Sequence, residues 1–319
     1  MTENSTSMPS QRRDSASSET GTLTGSQGPV DSAVPSSGSQ LLNAMSIDVE
    51  EHFQVSAFEE RIPRADWPSH ASRVERNIGR ILALLDETDS RATFFTLGCV
   101  AERHPEMIRE LVACGHEVAS HGWNHTRVRN QTSDEFRADV ERTKSLLEDI
   151  SGKSVNGYRA ASFSIGADTP WAHDVLLETG HVYSSSVYPI HHDHYGSPDS
   201  PRFANRARSG GLLEIPLTTV RAFGRNIPGA GGGYFRLLPF AYSRWAIRRV
   251  NQRDGMPAVF YMHPWEVDPD QPRVSGISMK TKFRHYVNLS RFEARLGKLL
   301  GGFRWGRMDD VYRDAIQGH

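Results

Sequence analysis

Apolar positions along the chain change their spacing repeatedly, and each change of period predicts an element. Residues 44–49 (AMSIDV) read as a strand, and residues 72–89 carry Val74, Ile78, Ile81, Leu82 and Leu85 at helical spacing. Residues 92–97 (ATFFTL) predict a second strand. Met107, Ile108, Leu111 and Val112 mark a helix that Gly115 ends, and residues 117–121 (EVASH) a third strand. Thr132 with Glu135 fits a capping box that opens a helix running to about Ile150. Residues 155–162 (VNGYRAAS) predict another strand, and Thr169-Pro170 opens a helix with proline in its first position. Strands are expected at 181–187 and 213–220, a helix from Pro239 to near Gly255, and a last strong strand at 257–263 (PAVFYMH). Phe292, Leu296, Leu299 and Leu300 predict a C-terminal helix within 283–305, docked on the domain with a solvated basic face.

Strand–helix alternation of this kind implies an α/β fold with a parallel sheet and helices outside it. About seven such strands suggest a closed or nearly closed barrel, which periodicity alone does not decide. Residues 1–42 differ in composition, being rich in Ser, Thr, Gly and Pro and poor in large apolar side chains. They are expected to form a disordered tail, ahead of one folded domain at 43–319 with a helical C-terminal extension. A formal net charge of −1 over 319 residues argues against a nucleic-acid binder, which needs a surplus of Lys and Arg. No apolar run is long enough to span a bilayer and no charged-then-apolar leader is visible, so a cytoplasmic location is expected. Cys99 and Cys114 are expected as reduced, buried thiols.

In such folds polar chemistry gathers where parallel strands end. Four strand ends in this chain carry candidates. Ser46-Ile47-Asp48-Val49-Glu50-Glu51-His52 brings three acids to the first; alone this reads as a solvated strand end. His121-Gly122-Trp123-Asn124-His125 sets two imidazoles four residues apart, within reach of one another across a helical turn or a tight loop. Two neutral imidazoles and one carboxylate make a three-ligand metal site that keeps open positions, the catalytic pattern for zinc and similar ions. Arg159, ending a buried strand, needs a carboxylate partner. His263 ends the last strand, either as a hydrogen-bonded structural residue or as a general acid.

Taken with SIDVEEHF, ATFFTLG, GHEVASHGWNH, GYRAASFSI, SSSVYPI, GGGYFRLLP and FYMHPWEVDPDQPR, these segments resemble the NodB-type polysaccharide deacetylases, carbohydrate esterase family 4. Within that group they resemble the subfamily found with exosortase-linked exopolysaccharide loci. The resemblance runs over about residues 44–305. It implies a distorted (β/α) barrel and metal-dependent removal of acetyl groups from amino sugars of a polysaccharide. It implies Asp48 as catalytic base, Glu50, His121 and His125 as metal ligands with Glu51 as the alternative acid, Arg159 as the partner of the base, and His263 as general acid. Zinc is the first choice from ligand type, with cobalt or nickel fitting the same set. Two departures stand out: Ala160-Ala161 where the family usually has a proline, and Ser184 where the subfamily usually has an aspartate that tunes the acid histidine.

Other features read less sharply. Gly231-Gly232-Gly233 lacks the ending of a phosphate loop and is expected as a flexible groove wall, with Tyr234, Phe235 and Trp265 available to sugar rings. Core packing of Tyr234 and Phe235 is the equal alternative. His191-His192-Asp193-His194 is expected in a surface or groove loop rather than a metal cluster. Rival functions are O-deacetylation, hydrolysis of a small cyclic amide as in relatives resembling allantoinase, and glycan binding without catalysis.

Overall fold

The computed structural model describes residues 40–192, 196–207 and 211–318. Most of the expected tail, Asp193 and His194 therefore lie outside the described residues. The elements in chain order are β1 (Leu42–Val49), α1 (Val74–Glu87), β2 (Thr93–Thr96), α2 (Gly98–Arg103), α3 (Pro105–Ala113), β3 (Glu117–Ser120), α4 (Ser133–Ser151), β4 (Gly157–Tyr158), α5 (Ala172–Glu178), β5 (Tyr183–Ser184), β6 (Asn205–Arg206), β7 (Leu213–Glu214), β8 (Thr219–Ala222), β9 (Arg225–Pro228), α6 (Gly232–Leu237), α7 (Phe240–Arg249), β10 (Val259–Met262), α8 (Met279–Tyr286), α9 (Leu289–Leu300), β11 (Arg304–Gly306), α10 (Met308–Val311) and α11 (Arg313–Gln317). Among the described residues no helix is long and apolar enough to cross a membrane.

The sheet runs β10-β1-β2-β3-β4-β5-β7-β6, parallel except for the β6–β7 pair, and β11 pairs with the start of β1 on the edge away from β10. β1 is buried almost throughout, as a central parallel strand must be. Its alternation separates two environments. Met45, Ile47 and Val49 pack outward under the helices with Ile78, Ile81, Ile108, Phe292 and Leu296. Ala44 faces the other way with Phe95, Ala119, Tyr183 and Tyr261, and the same inner face carries Ser46 and Asp48, both bonded to Arg159.

The barrel is distorted where its ring should close. The expected strand over 213–220 breaks between β7 and β8 because Pro216 has no N–H to donate there. Through the break the chain leans from one side to the other: the Ile215 N–H bonds to the Ser184 carbonyl, and the Thr218 N–H and hydroxyl meet Val259 of β10. Among the described residues, closure thus rests on Thr218 rather than on a ladder.

Other expectations are corrected by local geometry. The strand over 155–162 shortens to β4, because the chain turns at Ser162 and Phe163, whose φ values of 53° and 49° are left-handed. α5 starts at Ala172, after a turn in which the Ala172 N–H bonds to the Thr169 carbonyl, so Pro170 precedes the helix. The glycines 232 and 233 open a helix, α6, instead of a flexible wall. The long C-terminal helix divides into α8 and α9 at Asn288, where φ is 53°, and ends in a strand. Both cysteines are free, but Cys114 is exposed beyond the end of α3 while Cys99 is half-buried. The capping box at Thr132 and Glu135 is present, and Gly152 closes α4 in the left-handed conformation.

Candidate active site

Because β1, β3, β4 and β10 run parallel, their C-terminal ends open on one side. Asp48, Glu50, His121, His125 and His263 line a single cavity of about 510 Å³ there, with Tyr234 and Trp265 on its wall.

Asp48 and Arg159 form the inner floor. Arg159 is wholly buried and donates to Asp48 Oδ1 at 2.6 Å, to Ser46 Oγ at 2.9 Å, and to the carbonyl and hydroxyl of Ser185. Its guanidinium lies 4.1 Å from the centre of the Phe95 ring. Each polar atom of this ion pair that faces the core is therefore met, the condition under which a buried pair is tolerated.

Glu50, His121 and His125 each present a ligand atom within 4.8 Å of the others. The His121-to-His125 segment is a loop, not a helical turn. It is held from several sides. Asp139 accepts from the Trp123 N–H, Arg64 donates to the carbonyls of Asn124 and His125, and the N–H groups of Gly98 and Cys99 bond to the carbonyls of Gly122 and Trp123. His125 itself has a φ of 57°, a left-handed conformation uncommon outside glycine, which the loop contacts impose. His121 Nδ1 sits 2.8 Å from the Arg159 carbonyl. A carbonyl only accepts, so Nδ1 carries the proton and Nε2 keeps its lone pair. Glu50 Oε2 lies 3.1 Å from His125 Nε2 and is buried without a hydrogen-bond donor.

The electrostatics of the three are consistent with a shared cation. Burial pushes the Glu50 carboxyl up to about 7. Burial lowers His121 and holds His125 well below the usual histidine range, keeping both imidazoles neutral. A buried acid that resists ionising beside two lone pairs is costly as it stands, and a divalent ion relieves all three at once. The donor set therefore fits a metal. Glu51 is turned elsewhere: its Oε1 accepts from the N–H groups of Arg73 and Val74 and from the Ser72 hydroxyl, at the start of α1.

His263 is set by a residue the sequence reading did not single out. Glu266, fully buried, accepts the His263 N–H at 3.0 Å and lies 3.3 Å from His263 Nδ1. Arg236 donates to the other Glu266 oxygen at 2.7 Å and is itself fixed by the carbonyls of Arg284, His285 and Val287. Burial disfavours charge on His263, but the hydrogen bond to Glu266 and the field of Glu50 outweigh it and push its pKa up to about 9. The His263 ring stacks on Trp265, 5.0 Å between centres, and Trp265 stacks in turn on His285 at 4.3 Å. Ser184, where an acid was expected, is buried and bonds to Ser186. The signal for Glu266 was the short His-Pro-x-Glu spacing, which matches a capping box, with His263 as the cap.

Tyr234 borders the cavity. Phe235 does not: it is 1% exposed and packs edge-on against Phe240, Phe260 and Phe292, so it belongs to the core under α9. Trp265 is also mostly covered, and only part of it faces the cavity. His191 and His192 line the rim rather than the metal cluster.

Residues 67–180 match the family model "Polysaccharide deacetylase", and residues 185–313 match a model described as a domain of unknown function, DUF3473. A peptidoglycan deacetylase of Helicobacter pylori is 29% identical over 119 residues, 37% of this chain and 39% of that protein. A chitooligosaccharide deacetylase of Sinorhizobium fredii is 45% identical over 146 residues, 44% of this chain and 60% of that protein. The chain thus spans less than two thirds of either relative. A crystal structure from Mycobacterium smegmatis, assigned to the polysaccharide deacetylases, superposes with a TM-score of 0.57 at 20% identity, over 90% of this chain and 94% of the other. That likeness supports the curled, mostly parallel barrel described above.

Proposed function

We propose that this chain, whose residues 67–180 match the polysaccharide deacetylase family model, removes acetyl groups from the amino sugars of a glycan, an exopolysaccharide, by metal-assisted amide hydrolysis. The observation that carries this reading is Glu50 Oε2, buried, without a donor, and 3.1 Å from a neutral imidazole.

Glu50, His121 and His125 would hold the ion, zinc by ligand type, with cobalt or nickel also compatible. When bound, such an ion supplies a water of lowered pKa and polarises the acetyl carbonyl. Asp48 takes the proton of the attacking water; its ion pair with Arg159, which also donates to Ser46, fixes the carboxylate's orientation. Arg159, out of reach of solvent, acts through Asp48. The water oxygen adds to the acetyl carbonyl carbon, the C–N bond breaks as that tetrahedral carbon collapses, and the leaving nitrogen needs a proton. His263, cationic at neutral pH, delivers it from the end of β10, the strand beside β1, and Glu266 stabilises that cation and orients the ring. Acetate leaves and the sugar keeps its amine. Tyr234 and the exposed part of Trp265 offer the aromatic surface for a sugar ring. Glu266 would do the work usually given to the acid missing at position 184, which removes the main support for a purely binding role.

The test is acetate release from N-acetylated amino-sugar oligomers by metal-stripped protein, by protein with zinc restored, and by Asp48→Asn. Release that requires zinc and drops by about 10²-fold or more in Asp48→Asn supports the reading. Release only from an O-acetylated oligomer would replace the substrate class. Oligomer binding without release under any metal would make the chain a glycan-binding protein.

A further inference from the structure

The surface formed by α7 and the β8–β9 hairpin has no part in the site above. It combines three features that the fold does not explain.

The first is the hairpin tip. Ala222 pairs with Arg225, leaving Phe223 and Gly224 as a two-residue loop with φ values of 51° and 75°. Two consecutive left-handed residues are the requirement of a type I′ turn, which favours Asn, Asp or Gly at its first position. Phenylalanine there is strained by its backbone, and it gains nothing from burial, being 95% exposed. Neither local propensity nor packing accounts for it.

The second is charge. Arg221 and Arg225 flank the tip, and α7 with the following turn supplies Arg244, Arg248, Arg249 and Arg253. Among the described residues none of the six lies in an ion pair, and the one acid of these segments, Asp254, pairs with Arg202 at 3.0 Å. In a chain of net charge −1 this is a marked local surplus. The hairpin and helix are joined, since Arg249 donates to the Arg221 carbonyl.

The third is shape. Arg244, Arg248, Arg249 and Arg253 surround a shallow hollow of about 510 Å³ with Trp245, itself 44% exposed, in its wall. Guanidinium forks converging on a concavity suit phosphate oxygens. Tryptophan and phenylalanine beside them suit the boundary between headgroups and acyl chains.

We infer that this face docks the protein on an anionic lipid bilayer, with the arginines on phosphodiester headgroups and Phe223 inserted among them. A soluble polyanion would satisfy the arginines equally well, but it would give a protruding phenylalanine no apolar medium. The apolar tip is what selects the bilayer.

The experiment is sedimentation of the full chain with vesicles of phosphatidylcholine alone and of phosphatidylcholine mixed with phosphatidylglycerol. A soluble polyanion, poly-glutamate, is tested in parallel. Binding to the mixed vesicles only, weakened by salt, is expected. Phe223→Asn should lower it about tenfold while leaving the thermal midpoint equal or higher, because asparagine suits the turn. The double variant Arg244→Glu, Arg248→Glu should abolish it, with acetate release from a soluble oligomer unchanged in both variants. No binding to the anionic vesicles overturns the inference. So does binding that both variants retain, which would place the contact elsewhere. Poly-glutamate binding lost in the arginine variant, together with vesicle binding untouched by Phe223→Asn, would overturn it in favour of a polyanionic partner.

Discussion

At the scale of single residues, neighbours in sequence have unrelated tasks. Glu50 and Glu51 are both buried acids after β1, and composition could not rank them as ligands. Glu50 faces the two imidazoles, whereas Glu51 accepts the free N–H groups at the start of α1, where a negative charge is also favoured by the helix dipole. Glu51→Gln should therefore cost about 1–2 kcal/mol of stability in urea unfolding and leave zinc affinity nearly unchanged. Glu50→Gln should do the reverse, losing zinc in a calorimetric titration with little loss of stability. The Glu50 pKa of about 7 also sets a pH dependence. A proton on Glu50 competes with the ion, so acidification weakens binding. One ionisation near 7 predicts about a tenfold fall in zinc affinity from pH 8 to pH 6, readable by the same titration.

At the scale of elements, glycine placement explains why α6 is a helix and not a loop. A Cβ on Gly232 would stand 1.8 Å from the Glu266 carboxylate. The helix start can approach β10 only because this side chain is missing, and that approach lets Arg236 reach Glu266. Gly232→Ala should push the carboxylate away, costing roughly 1–3 kcal/mol by overpacking. Its more diagnostic effect is on His263, whose raised pKa depends on Glu266. The basic limb of the pH–rate profile should move to lower pH, while Gly233→Ala, whose Cβ meets nothing, should leave that limb in place. Three glycines in a row suggest freedom; here the middle one serves a close contact.

At the scale of the whole molecule, buried histidines outside the candidate metal site govern acid stability. Burial lowers His52, His116 and His181 to about 4 each and holds His285 well below the usual range. The unfolded chain takes up these protons near pH 6.5. Between about 6.5 and 4 the unfolded state thus binds more protons, and stability falls as pH falls. Asp139, raised to about 6, and Glu117, raised to about 8, act with the opposite sign, since burial makes the folded state prefer their protonated forms. Asp309, also raised by burial, joins them, and four histidines against three acids leave a net loss. The urea midpoint should be lower at pH 5 than at pH 7, and His181→Asn should reduce the difference.

Local order was legible where one segment carries all the information. The capping box at Thr132, the helical spacing of α1 and the buried run of β1 each depend on residues within a few positions, so the chain alone determines them. The strand ends that hold Asp48, Glu50, His121, His125, Arg159 and His263 were legible for the same reason, because parallel strands force their ends to one side. Partnership across the fold was not. Glu266 acts with Arg236, thirty residues away, and Asp139 on α4 braces the loop between the two histidines. Neither acid differs in sequence from one that faces solvent. Phe235 and Tyr234 are adjacent aromatics, yet the helical turn of α6 sends one into the core and the other to the cavity. Side-chain direction and long-range contact depend on how elements pack, and a linear pattern fixes only the elements. The chain therefore determined which groups could do the chemistry, and tertiary packing decided which of them meet, which stay neutral and which carry charge.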